Sequence, residues 1–211
     1  MSASPLPAKL YHGTRSGVLS AVAREGLRPR GANGRGNWDH TVPSNESAVY
    51  LTVSYGLYFA RSAQSGGTPV ILEIDTARLR ERLLVADEDG LALMKQSADT
   101  YGDAAFWRAE MHTVPASRTL ECLGNCAYLD VVPPEAISRV LVLTESEALR
   151  LTLQACDPVI APINFLLFGR EYIEFSQWLF DRAASFTAGG RLVEPPSATA
   201  LPLSYFIDTL A

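Results

Sequence analysis

The stretch KLYHGT, residues 9–14, places one of the chain's three histidines at the end of a short apolar run. Residues 8–12 read as a strand, so His12 falls where the strand gives way to Gly13 and Thr14. A glycine here lets a ligand reach the backbone N–H and C=O without a Cβ in the way. Thr14 adds a hydroxyl. The three residues make a compact set of donors and acceptors suited to a primary amide or a ribose. Taken alone, His12 reads as a strand-end histidine whose ring is satisfied by the backbone; it is the neighbouring Gly13 and Thr14 that point to a ligand.

Working outward, RSGVLSAVAREGL (residues 15–27) reads as a helix, with Ser16 as N-cap, Val18, Leu19 and Val22 on one face and Gly26 as the stop. Arg28 to Ser47 has no periodicity and is rich in Gly, Asn, Pro and Ser. A loop of this length inside a compact domain is usually functional or disordered. AVYLT (48–52) is a β-rich run, SYGLYFARSA (54–63) a helix capped by Ser54, and TPVILEID (68–75) the clearest strand in the chain. Residues 76–84 read as helical turns, and a short helix is expected between there and residue 117. Strands are expected at RTLECL (118–123), CAYLDVV (126–132) and 138–144. From residue 145 the chain turns helical, with an amphipathic stretch at 163–186 interrupted near Gly169.

Short strands without regularly alternating helices fit a doubly wound sheet poorly. The expected class is α+β: a pair of small packed sheets with flanking helices over residues 1–145, and a helical C-terminal extension over 146–211. On the extension, Leu166, Phe168, Tyr172, Ile173, Phe175 and Leu179 form an apolar face that packs on the domain or takes a protein partner.

Composition bounds the function. A chain of 211 residues with 47% hydrophobic and 19% charged residues has the makings of a real core. Its net charge of -5 argues against broad nonspecific binding to nucleic acid, although Arg24, Arg28, Arg30 and Arg35 lie close together. Three cysteines without a CxxC pair are no disulfide framework, which points to a reducing, cytoplasmic setting. Cys122 and Cys126 in ECLGNC have no histidine nearby to complete a metal site and read as structural thiols. No signal peptide is visible, and the most apolar stretch, 159–168, is too short to span a bilayer. Neither a membrane nor a metal is expected.

Tyr50 in VYLT is either a sheet aromatic or a flat face for an aromatic ligand, with Tyr55 and Tyr58 on the next helix able to close the other side. Glu121 is a carboxylate in an apolar run: on its own it reads as an edge-strand residue facing water, and otherwise as a paired or functional group, since such residues are seldom buried without one of those reasons. Glu110 and Glu135 are rival carboxylates.

The order LYHGT, a helix ending EGL, a long loop, VYLT, a helix, PVILEID and a late GNCAYLDVVPPEAI resembles the ADP-ribosyltransferase fold in its histidine–tyrosine–glutamate branch. That branch includes the poly-ADP-ribose polymerases and the DarT-like toxins, and the tRNA 2′-phosphotransferases share its fold. The resemblance covers residues 8–145. It implies NAD as co-substrate, with His12 on the adenosine-side ribose, the Gly13 backbone on the nicotinamide amide, and Thr14 and Arg15 nearby. Tyr50 would stack on the nicotinamide, with Tyr58 as its rival. Glu121 would orient the other ribose and stabilise the charge that develops as the glycosidic bond breaks. Counting back from VPP puts the third position at Asn125 instead, a neutral residue. The implied activity is transfer of ADP-ribose to a macromolecular acceptor, protein or nucleic acid. The alternatives are a non-catalytic NAD- or ADP-ribose-binding module and an RNA 2′-phosphotransferase. The last lacks a second histidine in place of Tyr50 and has only Arg15 near its first motif.

Overall fold

The computed structural model describes residues 5–31, 44–53, 55–95, 103–149, 180, 198–204 and 206. Strand β1 (Lys9–Arg15) leads through a 3-10 turn at Ser16–Val18 into helix α1 (Leu19–Glu25). Next come β2 (Val49–Thr52), α2 (Gly56–Ser62) and β3 (Pro69–Asp75). Two 3-10 turns then lead to β4 (Leu84–Ala86), followed by α3 (Glu88–Lys95), α4 (Ala104–Glu110) and α5 (Ala116–Leu123). Last are β5 (Asn125–Tyr128), β6 (Ile137–Leu143) and β7 (Ala198–Leu201). The class is α+β.

All seven strands join one antiparallel sheet in the order β4-β5-β2-β1-β3-β6-β7. The joints are unequal. β1 runs beside β3 from Lys9↔Asp75 to Arg15↔Pro69, but meets β2 only at Tyr11↔Thr52. The two expected small sheets are therefore two halves, β4-β5-β2 and β1-β3-β6-β7, that touch at one pair and fork apart.

PVILEID forms a central strand because both of its faces find apolar cover. Val70, Leu72 and Ile74 share a core with Leu10 and with Leu19 and Val22 of α1, while Ile71 packs with Tyr11 and with Leu57 and Ala60 of α2. Gly13 has a packing reason that the sequence does not disclose. A Cβ there would meet the Gly56 carbonyl oxygen at 2.2 Å and the Ala60 nitrogen at 2.3 Å, so α2 rests directly on the β1 backbone. At the end of α1, Gly26 takes φ 82° with its Cα close to the Val132 carbonyl.

RTLECL is not a strand. It lies in α5, whose buried residues Ala116, Thr119, Leu120 and Leu123 follow the i, i+3, i+4, i+7 pattern of one helix face, while Arg118 and Glu121 are exposed. Gly124, with φ 73°, ends the helix in the left-handed region, and β5 begins at the next residue. The region before it holds two helices, α3 and α4, rather than one, and the edge strand β4. Ser16 does not cap α1; its hydroxyl accepts from the Thr68 N–H at 2.9 Å. The Ser54 cap lies outside the described residues.

The C-terminal extension is not wholly helical. β7 pairs with β6 from Leu143↔Ala198 to Val140↔Leu201, so its end belongs to the sheet. Phe180 is buried against the Tyr11 ring at 5.5 Å, beneath the Arg139 guanidinium. The apolar face from Leu166 to Leu179 and Cys156 lie outside the described residues. Of the other cysteines, Cys126 is buried and Cys122 half-buried. No helix among the described residues is long and apolar enough to cross a membrane.

Candidate active site

Where β1 and β2 part, a cavity of about 840 Å³ opens between α1, α2 and the β2-β5 strands. His12, Gly13, Thr14, Tyr50, Tyr58 and Asn125 all line it. The imidazole of His12 bridges the fork: its Nδ1–H donates to the Tyr50 carbonyl at 2.8 Å. Because a carbonyl only accepts, this contact fixes the tautomer and leaves Nε2 as an acceptor. Burial lowers the His12 pKa against the opposing effect of that hydrogen bond, which favours the neutral ring.

Tyr50 is held at its far edge. Its hydroxyl donates to Glu88 Oε1 and accepts from the Asn45 N–H at 2.5 Å, and the same carboxylate oxygen takes that N–H at 2.8 Å. Burial and then the Glu88 charge push the phenol far above its ordinary range, so it stays protonated. These bonds hold the ring in place at the cavity. Tyr55 and Tyr58, from the start of α2, line the same cavity, and Tyr58 packs edge-on against Phe59 at 5.6 Å.

Arg15 is directed elsewhere. Its guanidinium donates to the carbonyls of Arg61, Ala63 and Gly67 at 3.0, 3.2 and 3.2 Å and pairs with Glu145. It satisfies the C-terminal end of α2, a region of partial negative charge, and does not line the cavity. The cavity's arginines are Arg28 and Arg30. Arg28 pairs with Glu25 at 2.7 Å, and Arg30 donates to the Ser44 carbonyl at 2.6 Å, tying together the described ends of the long loop.

The two candidates for the third position are placed differently. Glu121 sits on the solvent face of α5 and does not line the cavity, because helical periodicity turns it away from the buried face. Glu110 and Glu135 are also outside the lining. Asn125 is inside it: it opens β5 opposite Thr52, and its Oδ1 is buried with no hydrogen-bond partner among the described residues.

Asp87 is the carboxylate that sequence reasoning overlooked. It follows β4, is 6% exposed, and lines the cavity. Its Oδ1 accepts the Asp89 N–H at 3.1 Å, and its own N–H donates to Thr119 Oγ1 at 3.1 Å. Burial first, then the charges of Glu88 and Asp89, push its pKa up to about 8. Among the described residues, no cluster of His, Cys, Asp and Glu has the makings of a metal site.

No family model matches the chain, and no curated protein matches its sequence. Among solved structures, it is similar to EcPltA at 15% identity and a TM-score of 0.38, covering 67% of this chain and 78% of that one. It is also similar to Thermus sp. 2.9 DarT in complex with carba-NAD+, at 18% identity and a TM-score of 0.38, covering 72% of this chain and 91% of that one. Neither likeness is close enough to assign a residue.

Proposed function

We propose that the chain transfers ADP-ribose from NAD to a macromolecular acceptor, protein or nucleic acid, with release of nicotinamide. The observation that carries this is the meeting of His12 and Tyr50, 38 residues apart, at one fork in the sheet and in one cavity. The motif order that resembles the histidine–tyrosine–glutamate ADP-ribosyltransferases agrees with it. The cavity volume falls within the range of small-ligand sites. The anchored Tyr50 ring suits an aromatic ring such as nicotinamide, the acceptor nitrogen of His12 suits a ribose hydroxyl, and Arg28 and Arg30 suit a diphosphate.

Nicotinamide departs through an oxocarbenium-like state, and a preorganised cleft accelerates that step where its dipoles and charges face the developing positive charge. A neutral Asn125 at the third position favours a second reading, in which the same cleft binds NAD or ADP-ribose without turnover.

Labelled NAD incubated with separate protein, DNA and RNA pools tests the choice. Transfer predicts label in one pool, and a binding module predicts label in none. His12→Ala and Tyr50→Ala should each weaken NAD binding in calorimetry, the latter by about 1 kcal/mol from lost stacking. Unchanged affinity in both folded variants would end the NAD assignment.

A further inference from the structure

We propose that Asp87 is the catalytic carboxylate of this cleft, taking the proton of the attacking nucleophile as the nicotinamide–ribose bond breaks. This rests on the NAD reading above. The case begins with elimination by position. Glu121 faces solvent, and Asn125 cannot carry a charge. The carboxylates among the described lining residues are Glu25, Asp87 and Asp89. Glu25 is exposed and paired with Arg28, and Asp89 is the more open of the other two.

Asp87 is placed by the sheet. β4 and β5 run in register through Ala86↔Cys126, and one further step sets Asp87 across from Asn125. Asn125 is in turn paired with Thr52, two residues from Tyr50 along β2. A buried carboxyl group, an orphaned amide oxygen and a fixed aromatic ring thus converge on one end of the cavity. There the amide oxygen of Asn125 can accept from a ribose hydroxyl beside the Asp87 carboxyl.

The neighbours tune the group. From α3 it meets Glu88 and Asp89, from β2 the Tyr50 phenol, and from β5 the Cys126 thiol. α5 contributes Thr119, which is uncharged, while its Arg118 and Glu121 are exposed. These surroundings favour the protonated carboxyl and bring its ionisation to about pH 8, near the range in which a general base works best.

The step balances without a further reagent. The C1′–N electron pair leaves with nicotinamide and neutralises its ring. A lone pair of the nucleophile forms the new bond to C1′, and the nucleophile's proton passes to Asp87 and then to water. With water as nucleophile, NAD and water give ADP-ribose, nicotinamide and a proton.

The test follows nicotinamide release from NAD by the full chain between pH 6 and 9.5, with NAD affinity and melting temperature measured alongside. The wild-type rate should climb with pH and level off above about 8. Asp87→Asn should bind NAD normally, lose about 10²–10⁴-fold in rate and lose the climb. Asp87→Glu should recover part of the rate and keep a pH-dependent profile. Glu121→Gln should match the wild type. The proposal fails if Asp87→Asn binds NAD and keeps its rate, or if Glu121→Gln loses activity in its place. Should Asp87→Asn not fold, the other arms decide: a flat wild-type profile or an inert, folded Asp87→Glu overturns the proposal. A wild type that binds NAD but never releases nicotinamide removes the transfer reading itself, and this proposal with it.

Discussion

Glu73 on β3 and Asp87 after β4 are buried carboxylates, 2% and 6% exposed, one in each half of the sheet. Glu73 meets a cation: Arg139 reaches both of its oxygens, at 2.9 and 2.5 Å, and the Ser138 hydroxyl donates at 2.6 Å. Burial would raise its pKa, but these hydrogen bonds and the charges of Arg139 and Lys9 hold it below the usual range. Asp87 meets Glu88 and Asp89 instead, and burial with like charge drives it the other way. The fold spends an arginine on the first and gives the second acidic company. A buried carboxylate supplied with a cation serves the scaffold. One kept among acids beside a cavity can hold or release a proton at neutral pH.

The largest test of that contrast removes the cation. Arg139→Ala leaves buried Glu73 with only the Ser138 hydroxyl and the Lys9 charge and strips cover from Phe180, so urea denaturation should show a loss of about 3 kcal/mol. A loss below about 1 kcal/mol would mean that Glu73 needs no partner, and the contrast would collapse.

The pH dependence of stability sharpens it. Asp87 has a folded pKa above its unfolded value, so its contribution is complete below about pH 4 and is lost as pH rises through about 8. Glu73 has the opposite sign: its contribution is present above its unfolded value and is lost as pH falls through its lowered folded value. Asp87→Asn should therefore abolish a decline of up to about 1.4 kcal/mol per pH unit on the neutral side and leave the acid limb unchanged. Parallel curves for the variant and wild type would show that Asp87 ionises as freely in the fold as outside it.

The smallest effect concerns Glu88, which is buried like its neighbour but bonded to Tyr50. Tyr50→Phe and Glu88→Ala should couple by about 1 kcal/mol in a double-mutant cycle, since each change removes the same hydrogen bond. Additive losses would show that the phenol is not anchored there.

How far the sequence revealed this arrangement depended on how locally each feature is determined. β1, β2, β3 and α1 were legible because apolar runs such as VIL and the Gly26 stop act over a few residues. His12 and Tyr50 stood out for the same reason, each sitting in a distinctive short context, and the fold brings them to one cavity. RTLECL misled because six residues with two leucines fit either period. The decision came from Ala116 and Leu123, which lie at or beyond its edges and complete a helical face. In VADEDG, Asp87 was camouflaged, since acids there look like ordinary first-turn residues of α3. Arg15, just after the motif, invited a ligand role, and Gly13 within it hid a packing role. Their packing partners, the end of α2 and its first turn, come from about 45 residues away and only appear once the sheet forms.

The fork also makes any occupant of the cavity a mechanical element. His12 and Thr14 belong to one half of the sheet, and Tyr50, Asp87 and Asn125 to the other, while the strands between them share only Tyr11↔Thr52. A molecule that touches both sets spans a seam as a rivet does. Part of its binding free energy then appears as cohesion between the halves, and the protein resists shear across that line more strongly when loaded than when empty.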